Sequence, residues 1–169
     1  MYKKLIKYCS IFYKLKSILP IQGLKQVYFA FVHSRLLYAV EIYANTYKCY
    51  LDKLIKLNNK HKNYSTLPVP LLHQQNLILF AHKILRYSHK LPVLFKYYLN
   101  QNDDIHTYNT RLKNSIHLYR TNTDYEKRSS KYRAAKYYND LPKEIKFKLD
   151  ESGRYNKSVL KNYLLNSKH

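Results

Sequence analysis

Lys3-Lys4-Leu5-Ile6-Lys7-Tyr8-Cys9-Ser10-Ile11-Phe12-Tyr13-Lys14-Leu15-Lys16-Ser17-Ile18-Leu19 decides the fold class. Within it Leu5, Tyr8, Cys9, Phe12, Leu15 and Leu19 recur at steps of three and four, while Lys4, Lys7, Lys14 and Lys16 fall largely off that stripe. An apolar stripe at this period makes one face of an amphipathic helix. Pro20 interrupts the pattern and suits the first turn of a second helix, whose apolar face would be Leu24, Val27, Tyr28, Phe31 and Val32. The two are expected to pair as a short hairpin.

Working outward, the run Leu36-Leu37-Tyr38-Ala39-Val40-Glu41-Ile42-Tyr43-Ala44 is compatible with a buried helix or a strand, and its continuity with the preceding helix favours helix. A third amphipathic helix is predicted from Tyr47 to Lys60, with Tyr50, Leu51, Leu54 and Leu57 facing inward. Leu67-Pro68-Val69-Pro70 predicts an extended linker, because each proline disfavours the helical region for the residue before it. Helix resumes from about Leu72 to Ser88 through Leu77, Phe80, Ala81, Ile84 and Leu85, and Pro92 opens a short one ending near Leu99. The polar stretch Asn100-Gln101-Asn102-Asp103-Asp104 reads as a turn and a domain boundary. Residues 105–135 show no sustained period. Pro142 starts a brief helix through Phe147, Ser152-Gly153 a turn, and Tyr155, Val159, Leu160, Tyr163 and Leu164 mark a final helix. The expectation is a mainly α chain, with a helical region at 1–100 and an irregular, basic region with short helices at 101–169.

The chain has 169 residues, 46% of them hydrophobic, enough to fill a core. With 2 glycines, Gly-rich phosphate loops are excluded; with 20 tyrosines, the core must include rings whose hydroxyls need partners. Thirty-one Lys and Arg against 10 Asp and Glu give a net charge of +21. Residues 1–100 hold 16 of the basic side chains against Glu41 and Asp52, a net of +14, leaving +7 for the rest. Such a surplus points to a polyanion, either nucleic acid or an anionic membrane surface. A genome rich in A and T would also inflate Lys, Asn, Tyr and Ile, but that bias does not explain the shortage of acidic residues. Cys9 and Cys49 have neither disulfide-framework nor zinc-ligand spacing. Lys14 and Lys16 interrupt the first apolar run too early for a signal peptide, and no uncharged apolar stretch is long enough for a membrane span. The expected location is intracellular, in cytoplasm or nucleus.

Catalytic chemistry has little to stand on. Asp103-Asp104 is the one adjacent aspartate pair, but it lacks the strand-like flanks of a polymerase metal site and reads as part of a turn. Neither a nucleophile motif nor a ligand-spaced cluster occurs, so no cofactor and no metal are expected. His82 and His89, seven apart, are expected on one helix face as interface histidines. Ile105-His106-Thr107-Tyr108-Asn109-Thr110-Arg111, Leu118-Tyr119-Arg120 and Lys127-Arg128-Ser129-Ser130-Lys131-Tyr132-Arg133-Ala134-Ala135-Lys136 are more informative. Five of the seven arginines fall in 111–154. Cations interleaved with tyrosines can neutralise phosphates and offer stacking faces to unpaired bases. A solvated surface loop is the equal alternative on composition alone.

The ordered series His106-x-Tyr108-Asn109-Thr110-Arg111, Ser129 to Lys136, Tyr137-Tyr138-Asn139-Asp140-Leu141-Pro142-x-x-Ile145-Lys146 and Leu160-Lys161-x-Tyr163-Leu164-Leu165 resembles the end of jockey-like non-long-terminal-repeat retrotransposon reverse transcriptases. Upstream, Ile18-Leu19-Pro20, Val32-His33-Ser34-Arg35-Leu36-Leu37-Tyr38-Ala39-Val40-Glu41-Ile42-Tyr43-Ala44, Leu51-x-Lys53-Leu54-x-Lys56-Leu57-x-Asn59-Lys60 and Leu67-Pro68-Val69-Pro70-Leu71-Leu72-His73 resemble the thumb helices that follow the palm. The resemblance implies a thumb-like helical bundle at 1–100 and a nucleic-acid-contacting region at 101–169. RNA, an RNA–DNA duplex and target DNA are the implied partners, with Arg111, Arg120, Arg128, Lys131, Arg133 and Lys136 as candidate phosphate contacts. Endonuclease, fingers and palm are missing from these residues, and Met1 falls after the point where the catalytic aspartates would lie, so no catalytic residue is carried over. Tyr43 and Tyr138 stand where the family usually has tryptophan, Ala134-Ala135 where it often has Gly-Gly or Gly-Pro, and the chain is shorter than its relatives between Lys62 and Leu67. Those departures suit a decayed insertion without a retained role. A basic accessory or membrane-surface protein using its first helix is a further alternative.

Overall fold

The computed structural model describes residues 2–59, 66–108, 110–150 and 156–167, and over these the chain is mainly α. It divides into two compact units, Met1–Leu72 and His73–His169. The expected boundary near residue 100 falls inside the second. No helix among the described residues is long and apolar enough to cross a membrane. The expected turn at Ser152-Gly153, Tyr155 at the head of the last helix and the shortening between Lys62 and Leu67 concern residues outside those described.

In the first unit, α1 (Tyr2–Leu15) and α2 (Ile21–Tyr28) form the expected hairpin. Leu5 and Phe12 are buried on α1, Leu24 and Tyr28 on α2. Phe12 meets Tyr28 edge-on at 6.4 Å, and Tyr8 stacks on Phe31 at 5.7 Å, so the two helices run antiparallel. Arg35 lies over the Tyr8 ring at 5.2 Å. After α2 the helix continues through a π turn at Phe29–His33 into α3 (Ser34–Leu37). The buried residues Leu24, Tyr28, Val32, Leu36, Val40 and Ala44 are spaced by four throughout. In an α-helix a strict four-residue step rotates by roughly 40° beyond a full turn, so the stripe would wind off the core. The wider π turn takes up that drift and keeps Val32 and Leu36 facing inward.

The run 36–44 does not continue as one helix. It breaks at Tyr38-Ala39, where Ala39 adopts the left-handed region with φ 54° and ψ 29°, and α4 (Val40–Tyr43) starts beyond it. The break lets both Leu36 and Val40 be fully buried, and the Tyr43 hydroxyl donates across it to the Leu36 carbonyl at 2.6 Å. α5 (Lys48–Asn59) buries Leu51, Leu54 and Leu57 as predicted. Tyr50, expected inward, is 72% exposed. Asn58 is buried in its place: its carbonyl accepts from the Tyr28 hydroxyl at 2.7 Å and its amide donates to the Leu67 carbonyl at 2.9 Å.

That last bond holds a linker shorter than predicted, because α6 (Val69–Arg86) begins two residues after Leu67. Both prolines sit at its start. Leu72 N–H bonds the Pro68 carbonyl at 2.9 Å, and Pro70 occupies the first turn, where a missing N–H leaves no intrahelical bond unmade.

In the second unit α6 buries Leu77, Ile78, Ala81 and Ile84. The short helix expected after Pro92 is instead a 3-10 turn at Val93–Phe95. Phe95 and Tyr98 pack on Phe80 at 5.5 and 5.7 Å, leaving Val93 and Leu94 exposed, so the segment has too few inward positions for a longer helix. Two polar-stretch helices, α7 (Asn102–Ile105) and α8 (Asp124–Lys127), are one turn each. An isolated antiparallel bridge pairs Gln101, just before α7, with Ile116, between α7 and α8, through Asn102 N–H to Ser115 O and His117 N–H to Asn100 O. Residues 105–135, expected to be aperiodic, contain the start of α9 (Ser130–Asn139), which is capped by Ser129 and buries only Ala134, Ala135 and Tyr138. α10 (Lys143–Asp150) and α11 (Lys157–Asn166) pack on each other, burying Leu149, Leu160 and Leu164.

Candidate nucleic-acid interface

The backbone of residues 112–116 is held by side chains of helices on either side. Asn139, at the end of α9, accepts from Ile116 N–H at 2.9 Å and donates to Ile116 O at 2.8 Å, acting as a one-residue strand on the edge not taken by Gln101. Asn102 donates to Leu112 O at 2.9 Å, and its carbonyl lies 2.9 Å from His117 Nδ1. Asp103 pairs with Lys113 at 3.1 Å, and Asp104 accepts from Gln101 N–H at 3.0 Å. Each carboxylate of the aspartate pair thus has a local partner that fixes the turn. Among the described residues no group of three or more His, Cys, Asp or Glu could hold a metal ion.

Two clefts open along this segment. The smaller, about 300 Å³, is lined by His117, Tyr119, Arg120, Lys131 and Tyr132 with Glu126 at its edge. The larger, about 980 Å³, is lined by His106, Tyr108, Arg111, Leu112, His117 and Asp140. Lys131 extends from the first turn of α9 between two tyrosine faces, 4.8 Å from the centre of Tyr119 and 5.7 Å from that of Tyr98. Such contacts contribute about 0.5–1 kcal/mol each and restrict the ammonium to one place. Tyr119 is further held by His117, ring centres 4.6 Å apart at 81°, and by the Asn100 amide at 3.3 Å. Burial pushes the Tyr98 hydroxyl pKa up, so this ring stays a neutral platform.

The six expected phosphate contacts do not share one face. Arg120 and Lys131 line the smaller cleft and Arg111 the larger. On α9, Lys131 shares its stripe with the buried Ala134, Ala135 and Tyr138, whereas Arg133 and Lys136 are on the other side of the helix. Arg128 caps the end of α8, its N–H bonding Asp124 O and Tyr125 O. Arg133 is half-buried and acts on His73, whose pKa is lowered to about 4 by burial first and by the Arg133 charge second. Lys136 is exposed. Tyr98, Tyr119 and Tyr132 complete the site; Tyr119 and Tyr132 stand next to candidate cations in the sequence, but nothing local marks Tyr98, 33 positions before Lys131.

His82 and His89 are not on one helix face, because α6 ends at Arg86 and His89 lies in the following 3-10 turn. His82 is fully buried, with Nδ1 3.3 Å from the Tyr138 hydroxyl, and His89 is exposed. Tyr138 also carries Lys146 over its ring at 5.0 Å. Burial lowers the Lys146 pKa, opposed by Asp140 and reinforced by Lys143. Cys9 is half-buried and Cys49 is exposed. No family model matches the chain, and no curated protein or solved structure gives a significant match.

Proposed function

We propose that the chain is the non-catalytic, nucleic-acid-holding part of a retroelement RNA-directed DNA polymerase, binding RNA or a template–primer duplex inside the cell. The observation that carries this reading is the half-buried Lys131, held between Tyr98 and Tyr119 beside the exposed Arg120, in a chain of net charge +21. Cations set among ring faces suit a phosphate backbone with accessible bases. The ordered resemblance at His106 to Arg111, Ser129 to Lys136 and Tyr137 to Pro142 supports the polymerase origin. Catalysis would depend on palm carboxylates that these 169 residues do not supply, and target DNA is a further ligand of the same chemistry.

The test is binding of the purified chain to labelled single-stranded RNA and to an RNA–DNA duplex across a salt series, with far-ultraviolet circular dichroism as the folding control. The expected result is a helical spectrum with log affinity falling against log salt by roughly 3 to 5, the slope for about five neutralised phosphates. A helical chain that binds neither probe at moderate salt overturns the reading. Selective binding to anionic vesicles would replace it with the membrane-surface alternative.

A further inference from the structure

We propose that the two clefts flanking Leu118 form one track for single-stranded nucleic acid, in preference to duplex. This rests on the reading of the polyanion as nucleic acid and names the form of it that the site takes. The clefts share His117 and Leu118, so they are neighbours along one extended segment. Each has its own cation on the rim: Arg111 in the larger, exposed Arg120 with Lys131 in the smaller. Each also has a ring beside the cation. Tyr108 is 78% exposed in one and Tyr119 44% exposed in the other, where Tyr132 lines the wall.

This alternation of cation and ring matches a strand whose bases are unstacked and can turn into recesses while its phosphates follow the rim. A duplex keeps its bases stacked inside and presents a convex backbone, which reaches the rim cations but leaves both recesses empty. The acidic groups near the track are Asp140 in the larger cleft and Glu126 in the smaller. Glu126 Oε2 accepts from Asn122 N–H at 3.1 Å, which ties one carboxylate oxygen to the backbone. Lys131 cannot swing to meet it freely, being held between Tyr98 and Tyr119.

The full chain is titrated with a short oligouridylate, an abasic oligomer of equal phosphate count, and a blunt RNA–DNA duplex. The expected order is oligouridylate tightest, by roughly tenfold over the abasic oligomer, the size of one stacked base. Tyr119→Leu, checked by circular dichroism, is expected to remove that tenfold, so that oligouridylate and the abasic oligomer bind alike. Arg120→Gln changes an exposed side chain and keeps the test valid should Tyr119→Leu unfold; it lowers the single-strand salt slope by about 0.7. Photocrosslinking of 5-iodouridine in the oligomer is expected to map to Tyr119 or Tyr132. Equal affinity for all three probes, or binding unchanged by Arg120→Gln with crosslinks elsewhere, overturns the track and leaves the general polyanion reading standing. No binding to any probe overturns both.

Discussion

His73 is 3% exposed on α6, and its Nε2 has no hydrogen-bond partner among the described residues. Burial, with Arg133 adding repulsion, lowers its pKa to about 4 from the ordinary 6.5. The folded chain therefore keeps this ring neutral where the unfolded chain protonates it. Its contribution to stability is fully present above pH 6.5 and is lost as pH falls from 6.5 toward 4, to a total of at most about 3 kcal/mol. Urea midpoints near neutral pH and near pH 5 should drop for the native chain and drop by clearly less for His73→Gln. Equal drops would mean that the ring is not held neutral. None of this is legible in the sequence, where His73 follows a proline-rich stretch and Arg133 lies 60 positions away.

Asn139 sets the placement of an element. Its amide takes both free backbone groups of Ile116, a residue 2% exposed, and so locks the end of α9 to the segment that separates the two clefts. Asn139→Ala should cost about 2–4 kcal/mol, since two buried backbone groups lose their partner. Asn139→Asp should cost more near neutral pH, because an equally shaped carboxylate would face the Ile116 carbonyl, and should recover in acid when protonation restores a donor. Hydrogen exchange at the Ile116 amide is the direct readout: unchanged protection in Asn139→Ala would show that the segment is held by the Gln101 bridge alone. At this scale the sequence is a fair guide where burial has a helical period and a poor one where it does not. Leu51, Leu54 and Leu57 announce α5, and Leu77, Ala81 and Ile84 announce α6. The sequence Ser130 to Asn139 hides α9 because its buried face is two alanines and one tyrosine. The break at Ala39 is equally silent, since neither glycine nor proline stands at that left-handed position, where most L-residues pay roughly 1–2 kcal/mol. With 20 tyrosines, ring positions such as Tyr50 cannot be sorted into inside and outside by period alone.

For the molecule as a whole, charge opposes folding and favours binding. Thirty-one cations face 10 carboxylates, and the pairs Asp103 with Lys113 and Asp124 with Lys127 are exposed, each worth about 0–1 kcal/mol. Self-repulsion at this net charge is screened over a Debye length of about 10 Å at 0.1 M salt and about 3 Å at 1 M. Added salt should therefore raise the melting temperature by several degrees, about 1 kcal/mol in a unit of this size. The same salt strips bound phosphate, so affinity for RNA falls. A polyanion added at low salt is expected to substitute for salt, raising the melting temperature by mass action, and to lose that effect as ionic strength rises. Calorimetry with and without oligouridylate at low and high salt measures both trends at once. Opposite signs for the two, stability up and ligand-induced shift down, follow only if the charge surplus is an unpaired surface awaiting phosphates. A melting temperature indifferent to salt would mean that the +21 is already dispersed enough to cost the fold nothing, and that codon bias alone suffices to explain it.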